Sequence, residues 1–295
     1  MGKASRRKAT SRDRRSGAGR SVAERPAPFV ARPFQGLPGE TDWVALREVV
    51  PAATATVRLA ASSSTATVAT VLPMAWSGMR RNDGELFVSL QSGTTTGDAS
   101  RDVAQVLLAL ADVEAGTPLP AAPPATESTP RLQGLLDLDT PFEVTVHEGF
   151  DFWLDDTAEL SEEGRESLDQ ANASAVPTTK LAGTPSAYWC RIGARTQLRW
   201  VLPDDEDAAT DALARLHAAG ADGLGEATRL LGAFRACGLL VPVWDLDPGL
   251  DAAAYEEPVA DLAVRLHEAI TSTVPLGPQE RRARAGLLSR QITLR

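Results

Sequence analysis

Residues 85–114 read ELFVSLQSGTTTGDASRDVAQVLLALADVE, and two hydrophobic periods meet inside them. Leu86, Val88 and Leu90 alternate with Phe87 and Ser89, the period of two that lays one side of a strand on a core. From Asp98 the period changes, and Val103, Val106, Leu107, Leu110 and Val113 fall on one stripe of a helix ending near Glu114. A strand followed by an amphipathic helix predicts an α+β fold with helices packed on one face of a sheet.

Toward the N-terminus, β-type stretches at Thr56–Leu59 and Thr67–Leu72 add two strands, and Asp42 is positioned to cap a short helix through about Val50. Leu37-Pro38-Gly39 turns the chain before it. Pro26, Pro28 and Pro33, interleaved with Phe29, Val30 and Phe34, predict an extended approach that lays aromatics on the core. The first unit, residues 29–115, therefore reads helix, three strands, helix. Residues 116–130 hold prolines at 118, 120, 123, 124 and 130 among Ala, Thr and Ser, the composition of a linker.

Beyond it, residues 131–295 predict a larger unit of the same kind. Strands are expected at Phe142–Val146 and Asp151–Leu154, then a helix over about Ser161–Ala173. Tyr188, Cys190 and Ile192 alternate on one strand and Leu198, Trp200 and Leu202 on the next. Two helices follow at about Asp205–Ala219 and Leu224–Cys237, a strand at Leu239–Leu246, and an amphipathic helix carrying Val259, Leu262, Leu266 and Ile270. The fold class is α+β, two helix/three-strand/helix units with antiparallel sheets. Val71-Leu72-Pro73 matches Val201-Leu202-Pro203, and the segment from Asp102 matches that from Asp261. Two readings stay open, an internal duplication and two unrelated α+β units.

Charge divides the chain differently. Lys3, Arg6, Arg7, Lys8, Arg12, Arg14, Arg15 and Arg20 against Asp13 give the first twenty residues +7, so a total of −9 leaves −16 on the rest. Residues 1–28 have no hydrophobic stripe to offset the cost of ordering, about 1–2 kcal/mol per residue, and are expected to be a disordered basic arm. Such an arm suits non-specific contact with nucleic acid or the ribosome, which the acidic body repels. The longest apolar run, Val106–Ala111, is far shorter than the ~20 residues of a bilayer span, and no apolar region follows the N-terminal charges. No membrane contact is expected, and two cysteines fit the reducing cytoplasm.

No catalytic set emerges. Ser92-Gly93-Thr94-Thr95-Thr96-Gly97-Asp98 joins strand to helix where backbone amides can hold an anion, but Gly-Lys-Ser/Thr is missing and Asp98 repels phosphate, so a capped turn is the reading. His147 lies near Glu148, Asp151, Asp155 and Asp156, which read as an acidic loop beside Trp153. Cys190 and Cys237 read as small core residues lying apart. Arg281, Arg282 and Arg284 form a compact basic segment after Gly277-Pro278, an anion-binding candidate that can equally pair with the body's own carboxylates. No metal and no cofactor are expected. A non-catalytic binding or adaptor protein with a protein partner is the first reading; the alternative is an enzyme or binder for a small anionic or phosphorylated ligand.

The stretch Arg32-Pro33-Phe34-Gln35-Gly36-Leu37-Pro38-Gly39-Glu40-Thr41-Asp42-Trp43, together with Val71-Leu72-Pro73-Met74-Ala75-Trp76, Tyr188-Trp189-Cys190, Leu213-Ala214-Arg215-Leu216-His217 and Arg282-Ala283-Arg284-Ala285-Gly286-Leu287, resembles an actinobacterial family of unknown function. The resemblance runs from about residue 29 to the end. It implies no activity. Some relatives carry a zinc motif of the SEC-C type before the Pro-Phe segment, where this chain has only its basic arm.

Overall fold

A computed structural model describes residues 24–62, 64–93, 95–154 and 162–289. The fold is α+β. The eight basic residues of the arm lie outside the described residues, but residues 24–28, expected to belong to the disordered arm, are placed: 25–27 pair with 125–127 and Ala27 is buried.

The chain enters along residues 24–35 and turns into α1 (Glu40–Glu48). Gly39, not Asp42, is the N-cap, with φ of 66°, and its carbonyl accepts from Asp42 and Trp43. A Cβ on Gly39 would lie 3.0 Å from that of Phe142, so close approach and left-handed backbone both require glycine. Asp42 is thereby released for a distant role. Trp43 stacks between Phe34 and Phe142, at centroid distances of 5.6 and 4.2 Å.

Next come β1 (Ala53–Arg58), β2 (Thr65–Ala69), β3 (Gly78–Arg80) and β4 (Leu86–Ser89), then α2 (Ala99–Leu110), capped by Asp98 through the amide of Ser100. The stretch expected to be a linker is bound along its length. Its Thr117–Leu119 forms β5 on β3, and its residues 125–127 pair with 25–27 of the incoming chain. After α3 (Leu132–Leu135), β6 (Val144–Val146) returns to β1. The first sheet thus has six strands in the order β5-β3-β4-β2-β1-β6, antiparallel except for the parallel pair β2·β4.

The Asp151–Leu154 segment, expected as a strand, is a 3-10 turn over Asp151–Trp153. Consecutive aromatics turn inward there: Phe150 stacks on Trp153, whose Nε1 donates to the Val71 carbonyl at 3.0 Å. Then follow α4 (Glu162–Ser174), β7 (Thr178–Lys180), β8 (Ala187–Ile192), β9 (Arg195–Trp200), α5 (Glu206–Ala218), β10 (Arg229–Ala236), β11 (Leu239–Leu246), α6 (Glu256–Ile270) and α7 (Pro278–Ser289). The second sheet is wholly antiparallel, ordered β10-β11-β9-β8-β7.

The helix expected over Leu224–Cys237 is therefore strand β10. Cys237 and Gly238, with φ of 48° and 77°, make a two-residue hairpin loop, and both residues of such a loop need positive φ. The hairpin sets Leu230 opposite Trp244 and Phe234 opposite Val241. Cross-strand burial overrides an ambiguous local period, and Gly232 sits beside the bulge after Leu230.

One core joins α1, α2 and the inner face of the first sheet to Tyr188, Val201, Leu239 and Val241 of the second. A separate core lies between the opposite face of the second sheet and α5, α6 and α7. The arrangement does not confirm an internal duplication. Both sheets carry two hairpin-like pairs side by side, but β2·β4 is parallel where β9·β11 is antiparallel. Moreover, α2 lies directly on β3 and β4, whereas α6 packs on α5. No helix among the described residues is long and apolar enough to cross a membrane.

Candidate functional site

Strand alternation builds a groove on the outer face of the first sheet. β1 sends Ala53, Ala55 and Val57 into the core and Thr54, Thr56 and Arg58 outward; β2 sends Ala66 and Val68 in and Thr65 and Thr67 out. Register then sets Thr56 beside Thr67, Arg58 beside Thr65, and Thr54 beside Thr145 of β6. Toward β3 and β4 the same outer face is closed by Ala69, Leu72, Met79 and Phe87 with Trp76, Phe152 and Trp153. Toward β6 it stays open, leaving a groove of about 410 Å³ rimmed by Thr140 and Pro141.

Some polar groups of this outer face serve the fold. Thr54 Oγ1 lies 2.8 Å from His147 Nε2, Thr67 donates to Glu85 at 2.6 Å, and Thr140 donates to Asp137 at 3.0 Å. The His147 ring tilts onto Phe152, and burial lowers its pKa, favouring the neutral imidazole. Thr56, Thr65, Thr145, Arg58 and Glu143 are exposed, and their side chains have no partner among the described residues. Beneath the groove, a small cavity shares Thr56, Arg58 and Thr140 with it and is also lined by Trp43. The Trp43 indole N–H is buried without an acceptor among the described residues.

The sequence-predicted site residues fall elsewhere. Arg284 reaches across to α5, its Nε 2.5 Å from Asp211 and its Nη2 2.7 Å from Asp207, which raises its pKa further. Arg282 bonds the Pro278 carbonyl of its own helix at 3.2 Å, and Arg281 bonds that of Leu276. The structure thus places these three cations on α7, where Arg284 ties that helix to α5. The 92–98 loop is a capped turn: Thr96 donates to Asp102 at 2.6 Å, and buried Asp98 is flanked by Arg101 at 3.3 Å and Arg131 at 3.1 Å. Asp155 and Asp156 of the acidic loop lie outside the described residues. Among the described residues no group of three His, Cys, Asp or Glu could hold a metal ion.

A second cleft, about 380 Å³, lies where the incoming chain and α1 meet the β10–β11 turn. Its charges are matched internally. Arg235 pairs with Glu206, and Arg47 sits 3.2 Å from Glu48 and bonds the Leu90 carbonyl. Cys190 is buried, but Cys237, expected on a helix stripe, sits partly exposed on the turn with Sγ 4.0 Å from Glu48. Burial and the Glu48 charge raise the Cys237 pKa to about 11, so its thiol is protonated and a poor nucleophile.

One polar cluster carries no signal in the sequence. Asp42 Oδ1 accepts from Ser186 at 2.7 Å and Tyr188 at 2.8 Å, and Oδ2 accepts from Lys180 at 2.7 Å. Burial, and then the Asp42 charge, push the Tyr188 hydroxyl well above its ordinary pKa. Ser186 has φ of 54°, a left-handed backbone that the network and the Val201 amide hold in place. Asp42 lies 138 to 146 residues before its three partners, and together they fasten α1 to the second sheet.

The model of a family of unknown function, DUF5926, matches residues 33–295, and the chain belongs to that family. No curated protein and no solved structure matches the chain.

Proposed function

We propose that this member of a family of unknown function is a non-catalytic binding or adaptor protein of the cytoplasm. In this reading its body recognises a partner at the β1–β2–β6 groove, and its basic arm adds an electrostatic contact to nucleic acid or the ribosome. The observation that carries it is the groove itself: three hydroxyls, a guanidinium and a carboxylate face solvent there without internal partners. Hydroxyls that both donate and accept, with opposite charges at one site, are groups for recognition. The nearest imidazole, His147, is engaged with Thr54.

The course of residues 24–27 supports the role of the arm. They pair with residues 125–127, and Glu24 accepts from Thr126 at 2.8 Å and Ser128 at 2.9 Å, so the arm has a fixed root at residue 24. If all eight basic groups neutralised duplex phosphates, the log–log salt slope would approach about −7.

The test is retention of RNA or DNA at low salt, and capture of protein from native lysate, by the full chain, by a deletion of residues 1–23, and by Thr56→Arg. The deletion should remove nucleic-acid retention while keeping protein capture, and Thr56→Arg should do the reverse. Retention absent from the full chain, or unchanged by the deletion, would remove the arm from the proposal. Capture indifferent to Thr56→Arg would remove the groove.

A further inference from the structure

We infer that the β1–β2–β6 groove takes a small zwitterion, an amino acid or short peptide with free ends, its carboxylate at Arg58 and its ammonium at Glu143. The inference rests on reading the groove as a recognition surface and adds the chemistry of the ligand. Arg58 and Glu143 line the same groove, are both exposed, and form no ion pair with each other or with any other described side chain. A ligand with one charge would satisfy one and leave the other facing it unmatched. A nucleotide or sugar phosphate would meet Glu143 as a like charge. A zwitterion answers both.

The surroundings set its direction. Arg58 also lines the small cavity beneath the groove, shared with Trp43 and with Asp137, whose oxygens already accept from the Asp139 amide and Thr140, whereas Glu143 lines the groove alone. The Trp43 N–H needs an acceptor, and a carboxylate brings acceptor oxygens to the Arg58 end. An ammonium brings only donors, which suits the Glu143 end. Thr56 lies between the two, with Thr65 beside Arg58 and Thr145 beyond Glu143, and these hydroxyls can donate to peptide carbonyls and accept from peptide amides. A volume of about 410 Å³ falls within the ~300–1,000 Å³ common for small-ligand sites.

The experiment is a ¹⁵N NMR titration of the full chain with trialanine bearing free ends, and in parallel with its N-acetylated and its C-amidated forms. Free trialanine should shift the amides of Thr56, Thr65 and Thr145 and the Trp43 indole resonance, and each capped form should bind at least about tenfold more weakly. In Arg58→Gln the free and amidated peptides should become equal, and in Glu143→Gln the free and acetylated ones. Both side chains are exposed, so spectra away from the groove report whether each variant keeps its fold. Absence of shifts at the groove, or capped peptides binding as well as the free one, overturns the inference. If trialanine fails while Thr56→Arg still abolishes protein capture, the ligand class is wrong and the recognition surface stands.

Discussion

The second sheet is covered on both faces, while the first is covered on one face and part of the other. Trp189, Leu198, Trp200 and Trp244 face α5–α7, and Tyr188, Val201 and Val241 face the shared core. Its strand β11 accordingly reads LLVPVWDL, almost continuously apolar, whereas β1 reads ATATVR and alternates. What a sheet face touches is thus written in the side chains of its strands. A threonine row marks where the first sheet was left wet.

The largest test of that contrast is a pair of substitutions. Trp244→Ala, in a fully buried position, should cost about 3–5 kcal/mol in urea unfolding, whereas Thr56→Val should stay within about 0.5 kcal/mol. Comparable losses would mean that the groove face is as deeply packed as the second sheet. The fastening between the sheets comes next. Asp42→Ala leaves Ser186, Tyr188 and Lys180 without their common acceptor and should cost about 3 kcal/mol, and Asp42→Asn less because one carbonyl oxygen remains.

Cys237, where the β10–β11 turn meets α1, provides a pH test. Its folded pKa of about 11 exceeds the ordinary 9.0, so the folded state holds the proton more tightly. The stability this contributes is complete below pH 9 and is lost as pH rises toward 11. Alkylation of the folded protein should accelerate across the same window, and Glu48→Gln should move it to lower pH; a thiol reacting at pH 8 as fast as a free one would contradict the environment described. The smallest effect is expected for Arg284→Gln. Its pairs with Asp207 and Asp211 lie at the protein surface, so the loss in melting experiments should be about 0–1 kcal/mol and should shrink with salt.

Elements with a long, clean period were legible. The helix read from the 85–114 stretch is α2, with Asp98 as its cap, and the helix expected at about Asp205–Ala219 is α5, Glu206–Ala218. β10 was not legible, because Leu230, Phe234 and Cys237 fall at i, i+4 and i+7 as on a helical stripe, and only pairing with β11 decides for a strand. The groove was half visible. Alternating threonines at 54 and 56 and at 65 and 67 stand in the sequence, but the placement of Thr145 and Glu143 beside them depends on β6 returning to β1 across about ninety residues. Asp42 was misread as a helix cap because a local role satisfies sequence reasoning first, and its true partners are 138 to 146 residues away.

That separation sets a clock during synthesis. At ~5–20 residues per second, α1 is made about 7–30 s before Lys180, Ser186 and Tyr188. Through that interval the Asp42 carboxylate is solvated, and the apolar side of its helix can be covered only by the first sheet's early strands. β6, which closes that sheet at its β1 edge, and Phe142, which stacks on Trp43, emerge late in the same wait. The nascent chain therefore exposes an open sheet edge beside an unfastened helix for many seconds, a surface that a chaperone would recognise and that the finished protein no longer shows.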